Sequence, residues 1–165
     1  MEDADRIFGD STGDLGSYGR RAAEGAAGDG DRSGAGGLAD GGRWHAQGMP
    51  VIYAGLSVEI CAMERLAHTG TFLPVDLMLV SLTLPDDAAL YETADIEALA
   101  GWEATPPGAA SVDFGTDFLR SVRALGLIVP SVIVPEARNL ILNPSHPRFA
   151  DVQLAMERPF VFDQR

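Results

Sequence analysis

The sequence predicts an α+β fold, because helical and strand patterns follow one another without the β-α-β regularity of a parallel sheet. A short strand pattern over 49–54 precedes a helical pattern that begins after Ser57, and the apolar run over 75–84 is typical of a central strand. Short strands are also expected at 128–134, 140–142, 152–156 and 160–162.

The first 40 residues differ in composition from the rest of the chain. They carry nine acidic residues against four arginines and show no apolar periodicity. Such a segment buries too little surface to offset its ordering entropy. We therefore expect 1–40 to be a Gly/Ala/Asp-rich flexible arm, or the product of a misassigned start, and 41–165 to form the folded domain.

The first helix is expected to carry Glu64 at the border between the core and a cleft. Ser57 is a suitable N-cap, and Gly70 a suitable stop. At 100° per residue, Glu64 lies roughly 60–80° from the centre of the apolar stripe. That stripe is formed by Leu56, Ile60, Met63 and Ala67.

A second helix is expected from an N-cap at Thr116 through Leu125, with Gly126 as its stop. Phe118, Leu119, Val122 and Leu125 would face inward. Before it, residues 86–110 are rich in loops, with one short helix expected at 95–100.

Composition excludes several classes of function. The formal charge is −12 and no lysine is present, which argues against binding a phosphate backbone directly. The lone Cys61 excludes an internal disulfide framework and is expected to be a small core residue. His45, His68 and His146 lack metal-ligand spacing, so no metal is expected. No apolar run is long enough to span a membrane and no signal peptide is evident, so a cytoplasmic location is expected.

Several short motifs follow one another in an order that resembles the RES domain family, named for an arginine, a glutamate and a serine. They are Gly-Gly-Arg-Trp-His at 41–45, Val-Ile-Tyr at 51–53, Ala-Met-Glu at 62–64, Val-Pro-Ser at 129–131, Asn-Leu-Ile-Leu-Asn-Pro at 139–144 with His-Pro at 146–147, and Pro-Phe-Val-Phe-Asp at 159–163. The resemblance covers about residues 33–165. His45 stands where members often have asparagine, and polar residues surround Tyr18 where many members open with an apolar strand.

The resemblance implies a fold similar to the ADP-ribosyltransferase toxins, with two small sheets flanked by helices and NAD bound between them. It implies a toxin of a toxin–antitoxin pair that cleaves NAD at the nicotinamide–ribose bond, as a glycohydrolase or as a phosphorylase with inorganic phosphate as co-substrate. A close branch resembles mono-ADP-ribosyltransferases that modify a protein acceptor. The implied partner is an Xre-like antitoxin that covers the active site, and a homodimer within that complex is one option.

The site residues implied by the resemblance are Glu64, Arg43, Tyr53 and Ser131. A carboxylate at Glu64 would stabilise positive charge on the ribose. Arg43 would grip the pyrophosphate or an attacking phosphate, Tyr53 would face the nicotinamide, and Ser131 would position the ribose or the glutamate. Trp44, Asn139 and Asn143 are interpreted as structural.

Each residue type also has an ordinary structural interpretation. Glu64 could be a solvated helix residue and Arg43 one half of a surface ion pair. Tyr53 could be a core residue of its strand, and Ser131 a turn residue. If those interpretations held, the chain would be a non-enzymatic binding module.

Overall fold

The computed structural model describes residues 21–26, 33–68, 73 and 77–163, and over 21–26 only the backbone. Within this part of the chain the helices are α1 Gly36–Ala39, α2 Val58–Ala67 and α3 Ala109–Ser121. The strands are β1 Arg21–Ala26, β2 Ile52–Gly55, β3 Leu77–Thr83, β4 Tyr91–Thr93, β5 Gly126–Pro130, β6 Arg138–Leu142 and β7 Gln153–Phe160. Two short 3-10 helices span Ala88–Leu90 and Pro147–Asp151. The predicted α+β fold is confirmed.

The strands form one seven-stranded sheet in the order β4-β5-β6-β2-β1-β3-β7. Only the β4–β5 pair is parallel. The sheet has two halves, β4-β5-β6-β2 and β1-β3-β7, and the ladder that joins them contains one residue pair, Ala23 with Gly55. The two small sheets that were expected are therefore present as the two halves of one continuous sheet.

Strand β1 was not predicted from the sequence. It pairs with β3 over six residues, from Arg21 opposite Thr83 to Ala26 opposite Met78. A strand between two neighbours can be held by its backbone hydrogen bonds, so it needs no apolar pattern of its own. The flexible character of the segment 1–40 as a whole, and the domain boundary after residue 40, stay predictions.

Strands β2, β5 and β6 of the four-stranded half bury residues on both of their faces. Alternate residues of its strands belong to two apolar clusters, as expected for side chains that point to opposite faces. One cluster includes Ile52, Ala54, Ile128, Leu140 and Leu142, together with Leu82 and Val152. The other includes Leu127, Val129 and Ile141, together with Trp44, Phe118 and Leu119. Helix α3 and the loop around Trp44 thus cover the face that also carries Tyr53.

Helix α2 begins where the sequence predicted. The Ser57 hydroxyl caps it by accepting a hydrogen bond from the Ile60 backbone N–H at 3.4 Å. Ile60 and Cys61 are buried, which confirms Cys61 as a core residue. The prediction that Met63 and Ala67 face the core is wrong, because both residues are exposed, Met63 to 43%. Gly70, the predicted stop, lies outside the described residues, as do the first two positions of the predicted strand at 75–84.

Helix α3 begins seven residues before the predicted cap, since its N-cap is Gly108 and its first residue Ala109. Thr116 lies inside the helix, where its hydroxyl donates to the Val112 carbonyl at 2.6 Å. The helix ends at Ser121 because Val122 adopts a left-handed conformation with φ 50°. The predicted end at Leu125 was therefore wrong, and so was the short helix at 95–100, which consists of turns.

One glycine of α3 permits close packing against the loop that precedes β2. A Cβ at Gly115 would overlap the carbonyl group of Trp44. We predict that Gly115→Ala lowers the free energy of unfolding by about 1–3 kcal/mol, as overpacking does elsewhere, although alanine is the better helix former. Urea unfolding monitored by tryptophan fluorescence would measure the loss.

The matched control for this prediction is Gly36→Ala, since a Cβ at that helical glycine would meet nothing within 4 Å. We expect it to leave the urea midpoint unchanged or slightly raised. A Gly115→Ala protein as stable as the wild type would show that the loop can move away from α3 at little cost.

Across the described residues, no helix has both the length and the apolar character needed to cross a bilayer.

Candidate active site

The loop before β2 forms a tight turn with Arg43 and Trp44 at its tip. Gly42 and His45 close the turn as an antiparallel bridge, with the Gly42 N–H donating to the His45 carbonyl at 2.9 Å. A Cβ at Gly42 would come within 2.9 Å of the Tyr53 hydroxyl oxygen, so glycine lets the turn lie directly on β2. The turn therefore presents Arg43 from a fixed backbone.

The Arg43 guanidinium reaches across to the loop before α3. Its Nη1 donates to the carbonyls of Trp102 and Ala104, each at 2.8 Å. A guanidinium carries five N–H donors, and Nη1 accounts for two of them. Among the described residues, no hydrogen bond engages its Nε or Nη2. Nε and Nη2 can therefore donate together to two oxygens of one bound anion.

Trp44 anchors the turn from below and is buried, which confirms its interpretation as a packing residue. Its ring stacks on Trp102 at a centroid distance of 6.1 Å and meets the edge of Phe114 at 6.3 Å. The next stretch of the loop is attached to α3, because the Ala46 N–H donates to the Thr116 hydroxyl at 2.9 Å. These contacts hold the turn over 42–45, which we call the arginine turn, against α3.

Tyr53 lies on β2 directly behind the turn. Its hydroxyl oxygen accepts a hydrogen bond from the Trp44 backbone N–H at 3.2 Å and lies 2.7 Å from His45 Nδ1. Burial raises the pKa of Tyr53, while the Trp44 N–H and the nearby Arg43 charge lower it to a smaller extent. The phenol is therefore neutral at physiological pH and can act only through hydrogen bonding and its ring face.

Glu64 projects from α2 and is held by two side chains from the sheet. Its Oε1 accepts hydrogen bonds from the Ser131 hydroxyl at 2.7 Å and from the Asn139 amide at 2.6 Å. Among the described residues, both of the carboxylate's hydrogen bonds go to this one oxygen. Oε2 is therefore available to a ligand, in an orientation set by the contacts to Oε1.

Ser131 uses its full hydrogen-bonding capacity inside the protein. It is 1% exposed, it donates to Glu64, and its oxygen accepts from the backbone N–H groups of Ile133 and Val134, each at 3.1 Å. A hydroxyl has one donor and two acceptor sites, so none remains for a ligand. The geometry favours positioning of Glu64 over positioning of a ribose.

The sheet register brings these residues to one face. Tyr53 pairs with Ile141, and Gly55 pairs with Asn139, so Tyr53 and Asn139 are diagonal neighbours with Cα atoms about 7–8 Å apart. Asn139 also pairs with Val129, two residues before Ser131. Glu64 reaches this face through Ser131 and Asn139, while the arginine turn reaches it through Tyr53. All four residues predicted for the site thus adjoin one face of the sheet.

Two contributors were missed by the sequence analysis. Asn139 was interpreted as a structural amide, yet it donates directly to Glu64. His45 was interpreted as a loop residue, yet it is 4% exposed and contacts Tyr53. Asn143 is structural as predicted, since its amide donates to the Leu119 carbonyl at 2.8 Å. The position of Asn139, two residues from Ile141 on an alternating strand, was the available signal.

The part of the chain that the structure describes contains no group of three or more His, Cys, Asp or Glu side chains that could hold a metal ion.

The site of this α+β domain thus combines a carboxylate held by two side-chain donors with an arginine-bearing turn that contacts the same face of the sheet. A family model described as "RES domain" matches residues 20–163 of the chain. The chain belongs to the RES domain family. The match begins within the segment that was predicted to be an arm.

Several similar proteins support this assignment. The chain is 38% identical over 138 residues to the Prs ADP-ribosylating toxin of Sphingobium sp. (strain YBL2), covering 82% of this chain and 86% of that protein. It is 37% identical over 114 residues to the Toxin Res of Photorhabdus laumondii, covering 68% of this chain and 72% of that protein. The Toxin Res of Pseudomonas putida is 37% identical over 130 residues, covering 77% and 87%.

The fold is similar to a solved structure as well. A chain of the Mycobacterium tuberculosis MbcT–MbcA toxin–antitoxin complex superposes with a TM-score of 0.61 and 20% identity, covering 84% of this chain and 83% of that chain. At this level of identity the similarity supports the fold.

Proposed function

We propose that this protein is a bacterial toxin that cleaves NAD at the nicotinamide–ribose bond. The observation that carries the proposal is the Glu64 carboxylate, fixed through Oε1 by Ser131 and Asn139, with no hydrogen bond to Oε2 among the described residues. Such an arrangement suits a reaction in which positive charge develops on a sugar, because a preorganised carboxylate then stabilises the transition state more than the ground state.

The step assigned to Glu64 is the heterolysis of the N-glycosidic bond. The bonding pair leaves with nicotinamide, and the ribose becomes an oxocarbenium-like cation. Oε2 would stabilise that cation through the ribose hydroxyls. Water then yields ADP-ribose and a proton, whereas inorganic phosphate yields ADP-ribose 1″-phosphate.

Arg43 and Tyr53 are proposed to bind the substrate. The free Nε and Nη2 edge of Arg43 matches a pyrophosphate or an attacking phosphate. Tyr53, with its hydroxyl turned to the turn and its ring half-buried on β2, would orient the nicotinamide. Because Ser131 has no free hydrogen-bonding site, its proposed role is limited to holding Glu64.

Mono-ADP-ribosylation of a protein is the alternative, and one comparison favours it specifically. The Sphingobium relative is named a Prs ADP-ribosylating toxin. The same bond breaks in both reactions, and only the nucleophile that attacks the cation differs. A non-enzymatic binding module is the third candidate, and the engagement of Glu64 by two buried or half-buried donors argues against it.

Incubating the purified protein with NAD, with and without phosphate and with bacterial lysate or purified Prs, separates the three. We expect free nicotinamide without labelled protein, at a rate that phosphate raises if the enzyme is a phosphorylase. Labelled protein would establish the transferase instead. Intact NAD in every arm, relative to a Glu64→Gln blank, would refute both enzymatic functions.

We further propose that an Xre-like antitoxin covers this site, because an enzyme that consumes NAD in the cytoplasm endangers the cell that makes it. With a formal charge of −12, the chain would favour a basic or arginine-bearing segment of that partner. Affinity purification from the native host should recover a co-encoded protein that inhibits NAD turnover. Recovery of the chain alone, fully active, would contradict this proposal, and the mass of the complex would show whether the chain is dimeric within it.

The two supports of Glu64 should act on kcat more than on KM. We predict that Ser131→Ala and Asn139→Ala each lower kcat by about 10- to 100-fold, because a hydrogen bond to a charged group is worth about 1.5–3 kcal/mol. The double variant should lose less than the product of the two, since both donors hold the same oxygen.

Initial rates over a range of NAD concentrations give kcat and KM separately for each variant. Ser145→Ala, an exposed serine outside the site, is the matched control and should behave as wild type. A rise in KM at constant kcat in the Asn139 variant would mean that Asn139 contacts the substrate instead of Glu64.

A further inference from the structure

His45 occupies a buried position that the mechanism above does not use. Its Nδ1 lies 2.7 Å from the Tyr53 hydroxyl oxygen, and its Nε2 lies 3.0 Å from the backbone carbonyl of Asp40. The two rings are tilted at 55° with centroids 5.5 Å apart. His45 therefore connects the residue that ends α1 to a residue of the proposed site.

The carbonyl of Asp40 determines the tautomer of the imidazole. A carbonyl oxygen only accepts hydrogen bonds, so Nε2 carries the proton. In the neutral ring Nδ1 then has a lone pair and must accept. The Tyr53 hydroxyl is the donor within reach, at 2.7 Å, so its hydrogen points at His45.

The remaining capacity of the Tyr53 oxygen follows from this assignment. A phenol oxygen accepts up to two hydrogen bonds. One lone pair accepts the Trp44 N–H, and the hydroxyl hydrogen is used by His45. The described residues therefore leave one lone pair of the Tyr53 oxygen without a hydrogen bond, and a lone pair can only accept.

We propose that His45 is a positioning residue that makes Tyr53 a hydrogen-bond acceptor toward the bound substrate, and that protonation of His45 reverses this polarity. A protonated imidazole donates from both nitrogens, so the Tyr53 oxygen must accept from Nδ1 as well as from Trp44. Its own hydrogen then leaves His45 and takes the remaining direction around the oxygen, where Tyr53 becomes a donor. The inference rests on the proposed function, in which NAD is the bound molecule and Tyr53 contacts it.

The acceptor state matches the donors that NAD presents near the bond to be broken. The carboxamide N–H groups of nicotinamide and the ribose hydroxyls both require an acceptor on the protein. A Tyr53 turned to its donor state would meet these groups donor to donor. Protonating His45 should therefore weaken binding of the substrate in its reactive orientation.

The surroundings of the pair favour the neutral state. Burial lowers the pKa of His45, and the hydrogen bond to Asp40 offsets this only in part. Of the described groups that adjoin the pair, α1 contributes the Asp40 carbonyl, β2 the Tyr53 phenol, α3 the Thr116 hydroxyl at the neighbouring Ala46, and the turn itself the Arg43 charge.

The first test needs no activity. Long-range ¹H–¹⁵N NMR of the imidazole, followed from pH 8 to pH 5, reports the tautomer and its titration. We expect the Nε2–H tautomer and a midpoint below 6.5, the ordinary histidine value. An Nδ1–H tautomer, or a midpoint at or above 6.5, would overturn the inference whether or not the protein cleaves NAD.

The same linkage predicts how stability depends on pH. Because the folded pKa lies below the unfolded value, the unfolded chain binds more protons between them, so stability falls as the pH drops below about 6.5. His45→Asn places an amide near the Nδ1 position, where its oxygen can accept from Tyr53 but does not titrate. This variant should lose less stability than the wild type between pH 7 and 5. The control is His146→Asn, which should behave as the wild type because asparagine can also cap the 3-10 helix that begins at Pro147. If the urea midpoints of the wild type and of His45→Asn changed equally between pH 7 and 5, the assignment would be overturned.

The second test concerns NAD turnover. Wild-type kcat/KM should show an additional acid loss of about 3- to 10-fold, the value of one hydrogen bond, as His45 titrates. This acid loss of kcat/KM should be absent from His45→Asn, in which the residue does not titrate, and from Tyr53→Phe, in which no hydroxyl is present. An acid limb retained in Tyr53→Phe would show that His45 acts by another route. Absence of turnover in every variant would count against the proposed function, while the NMR result would still decide the inference.

Discussion

Glu64→Ala is expected to abolish NAD turnover while leaving the protein folded. Loss of a preorganised group that faces developing charge costs about 10²- to 10³-fold in kcat, and a lone carboxylate at an oxocarbenium centre should reach at least that range. Folding should survive because the side chain is only partly buried and its removal leaves Ser131 bonded to two backbone N–H groups. Nicotinamide release measures activity, and circular dichroism with a urea midpoint measures folding.

Glu64→Gln separates charge from hydrogen bonding. The glutamine oxygen can still accept from Ser131 and Asn139, so the side chain keeps its position while the negative charge is lost. We expect it to be nearly as inactive as Glu64→Ala. Glu59→Gln is the matched control, since it removes an exposed carboxylate from the first turn of the same helix. Turnover at the wild-type rate in Glu64→Ala would remove this residue from the mechanism.

Arg43→Ala is expected to raise the KM for NAD by about 10- to 100-fold, because charge-assisted hydrogen bonds to a pyrophosphate contribute about 1.5–3 kcal/mol. Tyr53→Phe should raise it by less, since it keeps the aromatic ring and removes only neutral hydrogen bonds. Arg43→Lys should fall between them, because an ammonium supplies the charge without the bidentate fork. Initial rates over a range of NAD concentrations measure all three.

Part of the Arg43 effect is structural and needs its own control. Nη1 holds the carbonyls of Trp102 and Ala104, so alanine also releases the loop before α3. A urea midpoint separates this loss from a loss of binding. Arg123→Ala removes an arginine that pairs with Glu92 on an exposed surface, and it should change KM and stability little. Equal increases of KM in Arg43→Ala and Tyr53→Phe would argue against a pyrophosphate contact.

The local elements of the fold could be read from the sequence where short-range rules dominate. The start of α2 at Ser57 is one case, because an N-cap acts within four residues of itself. The error at Thr116 shows the limit of the same rule. A threonine inside a helix can bond to the preceding turn, and here the carbonyl of Val112 and the amide of Ala46 use its hydroxyl.

Contacts between residues far apart in the chain could not be predicted from the sequence. The motif order led to Arg43, Tyr53, Glu64 and Ser131 and to the family that the comparisons confirmed. It did not reveal that Asn139 shares the Glu64 oxygen with Ser131, since the three are brought together by strand register and helix placement. Nor did composition reveal β1, whose polar and small residues gain their place from backbone pairing with β3.

By itself, then, the sequence determined which residue types stand at which positions along the chain, the start of the first helix and the family. Tertiary structure alone decided what each of those side chains can still do. A hydrogen-bonding group has a fixed number of donor and acceptor sites, and its neighbours in space use some of them. The described neighbours use every site of Ser131, leave Oε2 of Glu64 without a hydrogen bond, and engage the Tyr53 hydroxyl through the Trp44 N–H and the His45 ring.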